Sequence, residues 1–153
     1  MANYDDKLDS REQEDYKLPE NLVLYPDSRL RADTEKMVSF DDINLIVQEM
    51  KETMYEAQGV GLAGPQIGIL KRVLVLDSGE ENGQFVAAIN PQITAYCGGF
   101  KGEEGCLSIP DMEEVVERAF SVRVEARSPQ GDALEIEAEG LYARALQHEI
   151  DHL

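Results

Sequence analysis

The strongest constraint on this 153-residue chain is its only pair of histidines, in His148-Glu149-Ile150-Asp151-His152. Residues four apart share one face of an α-helix, so a helix here would let both imidazoles reach one metal ion. Glu149 would then reach a water beside that metal and act as a general base. Two surface histidines on a polar helix are the alternative. Because both histidines of the chain fall in the motif, we favour the metal site.

A catalytic site of this kind needs a third protein ligand and leaves one position open for water. Only Leu153 follows His152 in the sequence, so we expect the third ligand upstream, unlike in the familiar HExxH proteases. The candidates are two cysteines and many carboxylates. Cys106 lies between strand-like segments beside a glycine, whereas Cys97 precedes two glycines and is the weaker candidate. Taken singly, either cysteine could equally be a small buried apolar residue.

The charge of the chain argues against several classes of protein. Its 14 basic and 31 acidic residues give a net charge of −17, and such a surface repels phosphate backbones, so we expect no nucleic-acid binding. No apolar run approaches the ~20 residues that span a bilayer, and the acidic N-terminus does not resemble a secretory signal. We therefore expect a cytoplasmic protein without a membrane partner, in which the two cysteines need no disulfide.

The first part of the chain predicts an extension followed by a helix. Residues 1–20 are polar and acidic without a period, so we expect a flexible extension before a single domain over 21–153. Ser39 predicts a helix start, with Asp42 completing a capping-box-like pair, and apolar residues at helical spacing continue to Ala57. Residues 59–68 are too rich in glycine to predict either regular element.

Several strands and a last helix are predicted after the glycine-rich segment. Residues 72–76 and 84–89 are short apolar runs, and Asn90-Pro91 is expected to break the second. Residues 121–126 and 134–138 alternate apolar and polar residues around a turn, which predicts a hairpin. Residues 140–153 have helical propensity and no breaker. This order of elements predicts an α+β domain.

Three segments in this order resemble the signature motifs of the peptide deformylases. Gly59 to Gln66 resembles their glycine-rich GxGxAAPQ-type loop, Glu104 to Ser108 reads EGCLS, and Gln147 to His152 reads QHEIDH. The resemblance extends from about Leu22 to the end of the sequence. It implies an α+β fold with antiparallel β-sheets packed around a central HExxH-bearing helix. It also implies hydrolysis of the N-formyl group from the initiator formyl-methionine of nascent polypeptides, which releases formate.

The resemblance also assigns roles to matching residues. It implies that Cys106, His148 and His152 hold one divalent metal ion, natively Fe(II), with Zn(II), Ni(II) or Co(II) as replacements. Glu149 would be the general base and later the acid. The Gln66 side-chain amide and the Leu107 backbone N–H would stabilise the oxyanion. Gly61, with Val60 and Gly105, would bind the substrate in an extended pose.

The sequence departs from the family pattern at three places. Gly64 replaces a usual alanine, which would make the loop slightly more flexible, and residues 111–114 lack the basic residue that some members place near the substrate. The strand and helix that usually follow the HExxH motif are absent from the sequence. This ending resembles phage-encoded deformylases, although a truncated chain would give the same picture. Proximity to the ribosome stays open, because the absent helix is the one linked to ribosome docking.

Three other functions compete with deformylation. A deformylase-like protein could keep the metal ligands and be catalytically inactive, but Gln66, Glu149 and Cys106 are all present. An endopeptidase would not be expected to carry the upstream cysteine and the glycine-rich loop. A structural metal module would need a fourth protein ligand, and the chain has no third histidine.

Overall fold

The computed structural model describes residues 17–77 and 84–153; most of the predicted N-terminal extension lies outside these ranges. The helices are α1 (Ile43–Glu56) and α2 (Gly140–Asp151), with short 3-10 helices at Ser28–Arg31 and Gly64–Ile67. The strands are β1 (Gly61–Ala63), β2 (Val73–Leu76), β3 (Val86–Cys97), β4 (Phe100–Cys106), β5 (Ile109–Arg118), β6 (Ser121–Arg127) and β7 (Ala133–Glu139). No helix within the described ranges is long and apolar enough to cross a membrane.

A five-stranded antiparallel sheet in the order β1-β2-β3-β6-β7 forms the centre of the fold. Strand β2 is buried along its whole length because both faces of the sheet are covered. Val73 and Val75 belong to the apolar cluster that contains Met50 and Met54 of α1. Leu74 and Leu76 belong to the cluster that contains Ala143 and Leu146 of α2. The sheet therefore separates α1 from α2, and one face of α2, which carries the HExxH motif, is buried against apolar side chains of the sheet.

Strands β4 and β5 form a separate two-stranded sheet, closed by the turn Leu107-Ser108. Most of their side chains are at least partly exposed. The sequence did not predict these two strands, because their residues are mainly polar and carry no sustained apolar alternation. Cys106 stands at the last position of β4, so the turn of this hairpin lies at the candidate site.

The structure confirms the predicted α+β class, the β6–β7 hairpin and the last helix, and it corrects three details. Helix α1 begins at Ile43, not at Ser39, whose hydroxyl instead bonds within its own turn, donating to Asp41. Strand β3 continues through Asn90-Pro91 by a register shift, with Asn90 at φ 53°. The glycine-rich segment contains β1 and a 3-10 helix rather than only irregular structure.

Candidate active site

The structure brings together the three side chains that the resemblance assigned to the metal. Sγ of Cys106 lies 3.5 Å from Nε2 of His152, which lies 3.3 Å from Nε2 of His148. The three ligand atoms are all within 4.8 Å of one another, and no other group of this kind occurs in the part of the chain that the structure describes. Cys97, the weaker sequence candidate, is exposed at the end of β3 and lies outside the group.

The chemistry of these donors fits a divalent transition metal. Burial lowers the pKa of His152 to about 4, so its imidazole is neutral at pH 7, as a metal ligand must be. Burial raises the pKa of the Cys106 thiol, so a thiolate there needs a cation to stabilise it. One thiolate and two imidazoles suit a borderline metal ion, and three protein ligands leave a coordination position for water or substrate.

Glu104 fixes the orientation of the first histidine. Its Oε2 lies 3.0 Å from Nδ1 of His148, so Nδ1–H donates to the carboxylate and Nε2 is left to bind metal. Burial raises the pKa of Glu104, but hydrogen bonds from Arg118 and His148 outweigh it and lower this pKa to about 2. The carboxylate is therefore ionised when it accepts the histidine N–H, which strengthens the imidazole as a ligand.

Two arginines hold Glu104 and join the β4–β5 hairpin to α2. Arg144 of α2 donates to Oε1 of Glu104 at 2.7 Å and to the carbonyl oxygens of three hairpin residues, Phe100, Gly102 and Val116. Arg118 of β5 donates to both carboxylate oxygens of Glu104 and, at 2.7 Å, to Asp151 of α2. The hairpin that carries Cys106 is thus attached to the helix that carries both histidines mainly by ionic hydrogen bonds.

Glu149 is the buried carboxylate of the site. It is 5% exposed, and its Oε2 has no hydrogen-bond partner among the described residues. Its pKa is raised to about 8, mainly by burial; the positive charge of Arg118 opposes this shift, and the negative charge of Glu104 supports it. A carboxyl group with a pKa near the working pH can both accept and return a proton. Its position and its free oxygen fit the general base predicted from the sequence.

Gln66 is fixed with its amide nitrogen toward the sulfur ligand. Its Oε1 accepts a hydrogen bond from the Ala63 backbone N–H at 2.9 Å, which settles which end of the amide is the donor. Its Nε2 is 3.6 Å from Sγ of Cys106 and 3.2 Å from Oγ of Ser108. Gln66 is 1% exposed, so a donor is held ready beside the metal group without the cost of ordering a mobile side chain.

Close packing explains the glycines of the first motif. A β-carbon at Gly61 would lie 2.8 Å from Oε1 of Glu149, and one at Gly59 would lie 2.5 Å from Cδ1 of Leu107. Both glycines therefore let the first motif approach the other two. A β-carbon at Gly64 would lie 2.6 Å from the carbonyl oxygen of Ile69. Gly64 is buried and tightly packed, so its departure from the family pattern has a packing reason in this chain.

The predicted substrate-binding residues meet in one cleft of about 940 Å³. Val60, Gly61 and Gly105 line this cleft. It is also lined by the three catalytic candidates of the sequence and by two of the metal ligands: Gln66, Leu107, Glu149, Cys106 and His148. Strand β1, which carries Gly61, pairs only with β2 and is an edge strand within the described ranges. An extended peptide could add to a free edge of this kind.

Sequence reasoning assigned no role to the hydrogen-bonded group of Glu104, Arg118, Arg144 and His148, which is called the ionic cluster below. Glu104 stands inside the second motif, but its partners Arg144 and His148 are 40 and 44 residues away. A signal was present in α2, where Arg144 precedes His148 by one helical turn. A buried arginine at that spacing indicates a carboxylate partner close to the metal ligand. Gln147 of the third motif also has a structural role that its sequence position did not predict, because its amide both donates to and accepts from the Ala119 backbone.

Comparison with known proteins identifies the family. The polypeptide deformylase family model matches residues 19–153. The peptide deformylase of Alkalilimnicola ehrlichii is 47% identical over 135 residues, which cover 87% of this chain and 76% of that protein. The crystal structure of a peptide deformylase from Synechococcus elongatus, in complex with actinonin, matches with a TM-score of 0.84 and 38% identity, covering 90% of this chain and 77% of that one. A probable peptide deformylase from Synechococcus phage S-SSM7 matches with a TM-score of 0.80 and 35% identity, covering 86% and 92%. The chain therefore belongs to the polypeptide deformylase family, whose members are metal-dependent amide hydrolases.

Proposed function

We propose that this chain hydrolyses the formyl amide of formyl-methionyl peptides, with Cys106, His148 and His152 holding the metal ion. The observation that carries the proposal is the buried Glu149 carboxylate: its Oε2 has no hydrogen-bond partner within residues 17–77 and 84–153, and Glu149 lines the same cleft as Cys106 and His148. When bound, the ion supplies Lewis-acid polarisation of the carbonyl and acidifies water. By resemblance Fe(II) is the native ion, and the same donors also suit Zn(II), Ni(II) and Co(II).

Glu149 moves the proton in the proposed reaction. Its free Oε2 accepts the proton of the attacking water as the new bond to the formyl carbon forms. The protonated carboxyl group then returns that proton to the departing amine as the carbon–nitrogen bond breaks, and formate is released. A carboxyl group whose pKa is raised to about 8 by burial is suited to both transfers near neutral pH.

Gln66 and Leu107 stabilise the oxyanion in this proposal. Nε2 of Gln66 already points at the metal group, because its Oε1 is held by the Ala63 N–H. The backbone N–H of Leu107 belongs to the turn that follows Cys106 and supplies the second donor. Loss of one such donor typically costs ~3 kcal/mol of transition-state stabilisation.

The substrate backbone is bound as an added strand in this proposal. Gly61 lies on the free edge of β1, and Val60 and Gly105 line the cleft beside it. Because Gly61 has no side chain, its backbone can lie against Glu149, which brings the reacting amide close to the base. The proposed substrates are nascent chains, so the proposed place of action is the cytoplasm.

The test is formate release from formyl-Met-Ala-Ser by protein loaded with Fe(II) or Ni(II) without oxygen. Acetyl-Met-Ala-Ser is the matched control, because the extra methyl group would crowd the space around Gly61 and Gln66. We expect formate and a free N-terminal amine from the formyl peptide, little free amine from the acetyl peptide, and inhibition by actinonin. The free amine is the product by which the two rates are compared. Equal rates on both peptides, or no release from folded and metal-loaded protein, would refute the proposal and favour an inactive metal-binding relative.

A further inference from the structure

The substrate cleft carries unbalanced negative charge. Glu103, Asp111 and Glu113 line it, and the structure gives none of the three side chains a hydrogen bond or ion pair with any described residue. Glu104 differs, because Arg118, Arg144 and His148 saturate it. Within the described ranges, Arg144 is the only lysine or arginine that lines the cleft, and it is 5% exposed and bonded to Glu104 and to carbonyl oxygens. It therefore offers no free charge to a ligand.

The three free carboxylates lie beside the path of an extended peptide. Glu113 pairs with Gly105 across the β4–β5 hairpin, and its Cγ is 3.8 Å from where a β-carbon on Gly105 would stand. Gly105 directly precedes Cys106. Asp111 has φ 61°, a backbone conformation that aspartate tolerates better than most residues. A peptide whose formyl end reaches Cys106 would thus bring its next residues past these side chains.

The cleft is marked as a ligand site independently of these charges. Glu149, which also lines it, is 95% buried, and its Oε2 has no hydrogen-bond partner in the part of the chain that the structure describes. The three acidic side chains are exposed and line the same cleft. Each exposed carboxylate acts weakly on a nearby cation, but three on one cleft act in the same direction.

We propose that Glu103, Asp111 and Glu113 make the cleft selective for formyl-methionyl peptides with lysine or arginine in the two positions after methionine. The proposal rests on the proposed deformylation, and it concerns which nascent chains the site takes. Cationic side chains there would pair with the free carboxylates, whereas glutamate or aspartate at the same positions would be repelled.

The test compares peptides that differ only in charge. Formyl-Met-X-Ala and formyl-Met-Ala-X, both as C-terminal amides with X as Lys, Gln or Glu, are given to the metal-loaded full chain at one pH. We expect kcat/KM to fall in the order Lys, Gln, Glu, by about five- to tenfold between the ends, since exposed pairs are individually weak. In 0.5 M salt the spread should shrink to about twofold or less, because the Debye length is then only about 4 Å.

Neutral variants separate these residues from the general acidity of the chain. The triple variant Glu103→Gln, Asp111→Asn and Glu113→Gln should bring the three peptides within about twofold of one another. Glu114→Gln is the matched control, because Glu114 neighbours Glu113 on the same strand but does not line the cleft. It should keep the spread of the unmodified chain. Circular dichroism of each variant checks that it is folded.

Peptide binding gives a second readout that does not depend on turnover. Dissociation constants on metal-loaded Glu149→Gln, measured by calorimetry, should follow the same order of charge. Equal affinities and equal rates for Lys, Gln and Glu peptides would overturn the charge preference while leaving deformylation intact. The same spread in the triple variant would also overturn it. No formate from the Gln peptide would refute deformylation itself, and the preference with it.

Discussion

The candidate active site is built from two regions that the fold supports differently. Helix α2 carries His148 and Glu149 and is capped at its C-terminus by His152. Its other face is buried against the five-stranded sheet through residues such as Leu146, which is 0% exposed. The β4–β5 hairpin carries Cys106, and between residues 100 and 118 only Ser108 is fully buried. One region is held by apolar packing, and the other by the ionic cluster around Glu104.

The two regions are therefore expected to contribute differently to the reaction, to stability and to metal binding. A helix seated on a core holds its groups at fixed positions, as proton transfer requires, because packed interiors deform little. A hairpin held by ion pairs depends on those pairs and on any metal that Cys106 shares with the helix. We therefore expect changes on α2 to affect chemistry first, and changes at the ionic cluster to affect stability and metal affinity first.

The largest expected effect is on turnover, from Glu149→Gln. The amide keeps the shape of the side chain against Gly61 but cannot accept a proton, so kcat for formyl-Met-Ala-Ser should fall about 10²–10⁴-fold. Metal content and melting temperature should change little, since the metal ligands and the apolar packing of α2 against the sheet are unchanged. Formate release and metal analysis on the same samples check this. Activity within tenfold of the unmodified chain would remove Glu149 from its proposed role.

The next effect tests whether ionic contacts hold the hairpin. Arg144→Met removes one bond to Glu104 and three to hairpin carbonyl oxygens, and it should lower the free energy of unfolding by about 3–5 kcal/mol. Arg123→Met is the matched control on β6, where Arg123 pairs with Glu137 in solvent, and it should cost at most about 1 kcal/mol. Urea unfolding measures both. Equal losses would contradict the special role of the buried cluster.

Metal removal should affect the two regions unequally. If the ion binds only the folded chain, a hundred- to thousandfold excess over its dissociation constant contributes about 2.7–4.1 kcal/mol, which chelation removes. The ion would tie Cys106 to α2, so amide hydrogens of β4 and β5 should lose more exchange protection than those of β6 and β7. Hydrogen exchange with and without a chelator measures this. A uniform loss would show that the hairpin does not depend on the metal.

The same contrast explains how much of the fold could be predicted from the sequence. The β6–β7 hairpin buries one face, so its apolar residues alternate in a pattern that predicts it. Helix α2 could be predicted because its residues have helical propensity and include no breaker. The β4–β5 hairpin has no fully buried apolar side chain, so it left no such pattern. The helix start at Ser39 was wrong because Ser39 bonds to Asp41, and the break at Asn90-Pro91 was wrong because a register shift absorbs it.

The site could be predicted to a similar extent and for similar reasons. The spacing of His148 and His152 predicts that both imidazoles lie together, and in the structure their Nε2 atoms are 3.3 Å apart, with His152 as the C-cap residue of α2. Residues alone favoured Cys106 over Cys97 as third ligand but left the carboxylates open, and the resemblance then selected Cys106. The pairing of Glu104 with Arg144 depends on a contact between distant parts of the chain, which no local period encodes. Long-range ionic contacts are therefore what sequence reasoning misses at this site.

The smallest predicted effect concerns the link between the two regions, the hydrogen bond from His148 to Glu104. Glu104→Gln keeps the shape of the side chain but replaces an ionised acceptor by a neutral one, so His148 becomes a weaker and less oriented ligand. Metal affinity should fall about 10- to 100-fold. Competition with a chromogenic chelator measures it, and Glu114→Gln, a neighbour outside the cluster, should leave it unchanged. Unchanged affinity in Glu104→Gln would mean that apolar packing alone orients the histidine, and that the ionic cluster serves only to attach the hairpin.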